Sequence, residues 1–364
     1  MNTGCVKFLS VSLILIAYAA CSSQNAVNGL PVKFVVPEKV LSIDRDSSFK
    51  FDFPENNSYG SLYLGNNSIL FISEIVSGNE EGAAFYKAYS LCDFSYLGAH
   101  LTHGRGPGEF LFPELCGRYR LQETEHICEY IYDSMLKGAF AFDLVKSLEE
   151  GRDVSYPVVE LSGETFYVYS YQDCFQLIVN LEHGRMFVKL TDRDGTVIKQ
   201  TELYPGVCTQ DNCTQLCFAE AINEERGILA MFMLSLPQIN FLDIGTGEMK
   251  SVAVDKAYRR WDSIINVSDI ESVMNSSMYY SMANCTSDYI IASYRSGITH
   301  YEMMEGDTGG THLHVFNWNG DFLYDISLKE TIGSPVYDSV RKHLYAIDYS
   351  DERICRYDLS CLLM

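Results

Sequence analysis

The chain has 364 residues, 47% of them hydrophobic and 21% charged, with a formal net charge of −21 at pH 7. That is ample apolar matter for a core. An acidic surface of this size repels phosphate backbones, so no nucleic-acid partner is expected. The one long apolar run, at the N-terminus, is too short for the about 20 residues that a membrane-crossing helix needs, and no other long apolar run is present.

At the N-terminus, Lys7 precedes an apolar run from Phe8 to Ala20, which ends in Tyr18-Ala19-Ala20-Cys21-Ser22-Ser23. A positive start, a short apolar core and small residues before a cut site predict a secretory signal over residues 1–20. Cys21 directly after Ala19-Ala20 resembles a bacterial lipoprotein processing site, where the thiol is acylated and the cysteine becomes the new N-terminus. Tyr18 stands where such sites carry an aliphatic residue. Ser22 to Asn28 reads as a flexible polar tether. Residues 21–34 are therefore expected to be lipidated cysteine and tether, and residues 35–364 the folded domain. The membrane is then a partner through the lipid, and the expected address is the outer membrane, facing the periplasm.

From Ser61 the chain falls into strand-length segments joined by short turns. Ser61 to Leu64 and Ser68 to Ile72 flank Gly65-Asn66-Asn67, a turn that accepts positive φ. Phe85 to Leu91 and Leu97 to His103 follow, turning at Asp93 to Tyr96. Later units pivot on Glu182-His183-Gly184 and Asp192 to Gly195, then on Asn223-Glu224-Glu225 and Gly245-Thr246-Gly247. Another turns at Asn317 to Asp321. The last is incomplete, with Ser334 to Tyr337, Leu344 to Ile347 and Arg353 to Tyr357. Only Leu144 to Glu150 reads as a helical turn. Four-stranded units spaced by roughly 40–50 residues predict a β-propeller. The turns place six units. Val40 to Ile43 is expected to supply the missing strand beside Arg353 to Tyr357, closing the ring and removing an exposed edge.

Between two of these strands lies His103-Gly104-Arg105-Gly106-Pro107-Gly108-Glu109-Phe110, which fits neither a helix nor a central strand. This segment, followed by Phe112-Pro113, resembles the glycine-proline-glycine-glutamate crossing of the TolB-like six-bladed β-propeller lipoproteins of Gram-negative bacteria. Tyr279 to Ala283, Asp288 to Ala292 and His314 to Asp321 are similar to that family's late blades, and Lys342 to Ala346 to its last. The resemblance spans nearly all of residues 35–360. It implies an all-β fold and a lipoprotein address, and carries no general catalytic motif.

The crossing lacks the Gly-Lys-Ser/Thr and the following helix of a phosphate loop, so it reads first as structure. Arg105 and Glu109 are the charged pair within it that a ligand or partner would meet. The interruption Arg295 to Gly310 splits two strands and carries Tyr301, Met303 and Met304, residues suited to an adaptable interface. These five, with Cys21 for lipid, are the expected site residues. His312 and His314 share a strand face at a chelating spacing, but no third ligand is marked. Of the 12 cysteines, only Cys208, Cys213 and Cys217 lie close in sequence. Buried thiols are the default, with a Cys208–Cys213 or Cys208–Cys217 bridge as the alternative. No catalytic residue, metal or cofactor is assigned. The preferred function is a non-enzymatic module binding a ligand or protein. The alternative is a hydrolase or lyase with a metal-assisted site in the propeller channel. Clustered acids or histidines there would favour the alternative; an apolar or aromatic channel would favour binding.

Overall fold

The computed structural model describes residues 25–51, 60–74, 76, 82–121, 126–161, 163–172, 175–262, 267, 269–295, 297–305, 310–351 and 353–362. Two strands come first, β1 (Val32–Phe34) and β2 (Lys39–Ile43). Blade one holds β3 (Leu62–Leu64), β4 (Ile69–Ser73), β5 (Ala84–Ser90) and β6 (Tyr96–Thr102). Blade two holds β7 (Pro113–Arg120), β8 (Ile127–Asp133), β9 (Gly138–Phe142) and β10 (Ser155–Glu160). Helix α1 (Leu144–Glu150), capped by the Asp143 side chain and closed by Gly151 at φ 65°, precedes its last strand. Blade three holds β11 (Glu164–Tyr171), β12 (Phe175–Glu182), β13 (Arg185–Asp192) and β14 (Val197–Glu202).

Blade four holds β15 (Phe218–Asn223), β16 (Ile228–Met233), β17 (Gln238–Asp243) and β18 (Met249–Ala253). A short helix, α2 (Ile270–Met274), leads to blade five: β19 (Tyr280–Cys285), β20 (Tyr289–Tyr294), β21 (Thr311–Asn317) and β22 (Phe322–Leu328). Helix α3 (His300–Glu305) interrupts it. Blade six holds β23 (Ile332–Asp338), β24 (His343–Asp348) and β25 (Arg353–Asp358). The six sheets are antiparallel within each blade's own strands. The fold is an all-β six-bladed propeller.

First strands of neighbouring blades lie beside one another, so they line the axis. Because strands alternate in direction, each link from a blade's last strand to the next blade's first emerges at one end of the ring. Loops between second and third strands emerge at that same end, which we call the crossover face. The apolar faces do not meet in one central core. They form six clusters, one at each blade junction.

The N-terminal segment joins those clusters in turn. Val27 packs between blades three and four, Val35 between four and five, Leu41 and Ile43 between five and six, and Phe51 between six and one. The Asn28 side chain donates to Asn240 Oδ1 at 3.4 Å and Ser251 Oγ at 3.2 Å. So Asn25 to Asn28, read from sequence as tether, are a docked hairpin: Asn25 bridges Pro31, and Ala26 and Val27 are fully buried. Closure by the N-terminal segment holds, but with another partner. β2 runs parallel to β22 as a fifth strand of blade five, and β1 does the same to β18 in blade four. Among the described residues blade six has three strands, and Asp46 reaches its outer strand, its N–H donating to Arg356 O at 2.8 Å and its Oδ2 accepting from Arg356 Nε at 3.1 Å. The expected pairing of Val40 to Ile43 with Arg353 to Tyr357 is therefore corrected. Three residues after the end of β2, Asp46 has carried the chain on to β25, so one strap serves three edges.

Turn geometry follows the residues with one exception. His183 and Gly184 both take positive φ, the tight hairpin type that Glu-His-Gly predicted. At Gly65-Asn66-Asn67 the positive φ falls on Ser68 instead, after a 3-10 turn.

Deleting residues 35–45 is expected to lower the melting temperature of the whole protein in a single cooperative step. A calorimetric trace in which blade five melts early and the remainder is unshifted would contradict the strap's role.

Candidate functional site

The glycine-rich crossing links β6 to β7. Glu109 folds back inside it, and its Oε2 accepts the Gly106 N–H at 2.5 Å. A side chain at position 104 would place its Cβ 2.0 Å from that oxygen, so any other residue would push the Glu109 carboxylate out of this position. Gly108 takes φ 80°. Phe110 then drops into the junction of blades one and two, edge-on to Phe140 at 5.3 Å. Glu109 is thus engaged in shaping the crossing, whereas Arg105 is exposed at its tip.

A residue not singled out from sequence, Asp133, mounts the neighbouring surface. Fully buried at the end of β8, its Oδ2 accepts the Leu111 and Phe112 N–H groups at 2.8 and 2.9 Å. Its Oδ1 accepts those of Met135 and Leu136 at 3.0 and 2.8 Å. One carboxylate therefore ties the crossing to the β8–β9 turn. Phe112, Met135 and Leu136 are left 55%, 65% and 39% exposed around it. The signal in sequence was an Asp at a strand end before a turn, which is common enough to pass unnoticed.

The interruption in blade five is partly helical, not a plain loop. Thr299 and Glu302 cap α3 reciprocally: the Thr299 N–H donates to Glu302 Oε2 at 2.8 Å, and the Glu302 N–H to Thr299 Oγ1 at 3.1 Å. Tyr301 is exposed on this helix, and Met303 and Met304 follow along its backbone. This helix lies on the crossover face, as Arg105 does, but on the far side of the ring. The structure places the two groups on one face without joining them. Cys21 lies outside the described residues.

The histidine pair resolves as structure. His312 Nδ1 sits 2.7 Å from Asp325 Oδ1. His314 is buried, stacked on Tyr294 at 4.0 Å, and burial pushes its pKa down to about 3. Cys208, Cys213 and Cys217 are free thiols, so neither bridge forms.

The axial channel carries a further cluster. Glu114 on β7 is exposed, yet burial raises its pKa; an accessible group that is also desolvated faces an enclosed space. Cys285 at the end of β19 shows the same combination, its thiol pushed up to about 11. Burial pushes Glu220 on β15 up to about 7, with Glu114 adding like-charge repulsion. Tyr63 is raised to about 12 and Cys217 to about 11, both chiefly by burial, and Tyr167 well above its usual range. Most of these come from the crossover ends of first strands, so they gather near one mouth. The cluster combines tyrosine rings, thiols pushed above their usual range, and the carboxyl groups of Glu114 and Glu220, both raised by burial. The channel is thus neither purely aromatic nor a cluster of ionised acids. Sequence reading missed it because the choice of inward side chains depends on blade register.

A family model described as TolB-like 6-blade propeller-like matches residues 66–339. The chain belongs to this family. Among curated proteins none matches it. Among solved structures, it is similar to a Bacteroides fragilis NCTC 9343 protein with a provisional description as exported. That match has 12% identity over 88% of this chain and 99% of the other, at a TM-score of 0.53. It also matches a DUF4221 family member from Bacteroides vulgatus ATCC 8482, at 9% identity over 89% and 96% of the two chains, TM-score 0.49. At such identities the likeness concerns the fold alone. TolB-like membership fixes the scaffold and leaves the ligand to the residues described above.

The Glu220 shift predicts a pH dependence. Between its usual value of 4.5 and about 7, the folded chain holds a proton that the unfolded chain has released. Stability therefore falls as pH rises through that window. The melting temperature should be a few degrees lower at pH 8 than at pH 5, and Glu220→Gln should shrink the difference. An equal drop in both proteins would show that Glu220 titrates normally.

Proposed function

We propose that this TolB-like propeller is an exported, lipid-anchored protein of the outer membrane, facing the periplasm. It acts there as a non-enzymatic module that binds a ligand or protein on its crossover face. The observation that carries this reading is the mount built by Asp133. A buried carboxylate holding four backbone amides keeps Phe112, Met135 and Leu136 in place, so an exposed apolar set is presented without loss of order on binding. Exposed Arg105 stands on the same crossing, and aromatic, Met and Arg side chains are those that protein interfaces favour. Tyr301 and α3 supply a second contact across the ring. The alternative, a metal-assisted hydrolase or lyase, would need a ligand set. Among the described residues no three His, Cys, Asp or Glu side chains gather to hold a metal.

The test is a quantitative pull-down from detergent-solubilised membranes. Phe112→Ser combined with Met135→Ser should lose the partner recovered by the wild type, at an unchanged melting temperature. Val340→Ser, on the opposite face, should not. Equal recovery by all three would refute the reading. Removing residues 298–308 tests the contribution of Tyr301, Met303 and Met304 in the same assay.

The anchor is tested separately. Two acyl chains hold a protein on a membrane stably, so Cys21→Ser should release a soluble protein lacking acyl mass. A variant that still sediments with membranes would remove the lipoprotein reading.

A further inference from the structure

Resting on that anchored reading, we infer that the bilayer meets the propeller at its outer rim, along the outermost strands of blades three, four and five. The ring then stands on edge, with both channel mouths clear of the membrane.

The first argument is reach. Asn25 is exposed at the rim of blade four, where it bridges Pro31 just before β1. Ala26, Val27 and Asn28 are locked beneath it by burial and by the bonds to Asn240 and Ser251. Only Ser22, Ser23 and Gln24 separate Asn25 from Cys21. Four extended steps span at most about 14 Å. Asn25 lies at the start of β1, the end of that strand away from the crossover face, so an acylated Cys21 cannot carry its lipid over the crossover face, and the rim of blade four stays at the headgroup layer.

The second argument is the composition of that rim. Val197 and Ile198 are exposed on β14, Phe34 on β1, Val36 just beyond it and Val40 on β2. These three strands are the outer edges of consecutive blades, and Asn25 sits by the middle one. Lys33, Lys39 and Lys199 lie on the same strands. Aliphatic and aromatic groups interspersed with lysine suit the boundary between headgroups and acyl chains. In water, an unpaired edge bearing Val197-Ile198 would invite edge-to-edge aggregation, and a bilayer covers it. On the other side of the ring the outer strands differ. Among large hydrophobic side chains, β6 exposes Tyr96, and β10 exposes none. The lipid supplies the affinity in this otherwise acidic protein, and the rim sets the orientation. The junction of blades one and two, with Phe112 and Arg105, is then turned away from the membrane.

The experiment places a photoreactive benzoylphenylalanine at Val36, at Ile198 or at Phe112 of the full chain, made in a Gram-negative host. Membranes are irradiated and phospholipid adducts quantified by mass spectrometry. Adducts are expected at positions 36 and 198, several-fold above position 112. Membrane-bound, acylated protein with no adduct at 36 and 198, or with as much at 112, overturns the rim orientation while leaving the anchor standing. A wild-type chain that is neither acylated at Cys21 nor membrane-bound removes the anchor and the orientation together.

Discussion

A ring of sheets has no central core to fall back on. Each blade buries its two faces against its neighbours, so any junction that opens exposes two apolar faces at once. In this protein the junctions at risk are those flanking the chain's end, where blade six has three strands among the described residues. The N-terminal strap answers that risk by crossing four junctions in succession with Val27, Val35, Leu41, Ile43 and Phe51. Burying a side chain of this size contributes about 1.5–3 kcal/mol, and an entire domain is stable by only about 5–15 kcal/mol. The strap is therefore a structural member of the ring rather than an appendage.

Much of this was legible beforehand, and the reasons are physical. Strand existence followed from two-residue alternation and from turn residues such as His183-Gly184, which local sterics decide. Helix α1 followed from Leu144 to Glu150 for the same reason. The partner of Val40 to Ile43 was not legible. A strand's apolar pattern states that it needs an edge but not which edge, and β22 lay one blade nearer along the path. Asn28 misled in a similar way, because a polar residue in a polar stretch reads as solvent-exposed until a buried Asn240 and Ser251 accept its hydrogen bonds. In the candidate site, the crossing was legible as rigid, while the role of Glu109 in shaping it depended on a close approach that only coordinates reveal.

Two surfaces of different character share the crossover face. The rim of the crossing offers apolar side chains held from below by Asp133, a patch suited to shape matching. The channel mouth offers hydroxyls, thiols and the carboxyl groups of Glu114 and Glu220, whose ionisation burial disfavours. The two differ in what they exclude. At the mouth burial raises the Glu220 carboxyl to about 7, whereas the outer patch discriminates by contour. That the same scaffold carries both is consistent with how function is distributed over propellers: blades hold the frame, and connections hold the chemistry.

The strap also sets the order of events in the protein's early life. It precedes every blade in the chain, yet Asp46 pairs with Arg356, 310 residues later. Docking sites for β1 and β2 do not exist until blades four and five have been made. The leading segment must therefore remain unpaired through most of synthesis, and ring closure awaits the last blade. Contacts of such long sequence separation form slowly. Until then the segment that carries β1 and β2 stays extended and accessible while the blades that will hold it form.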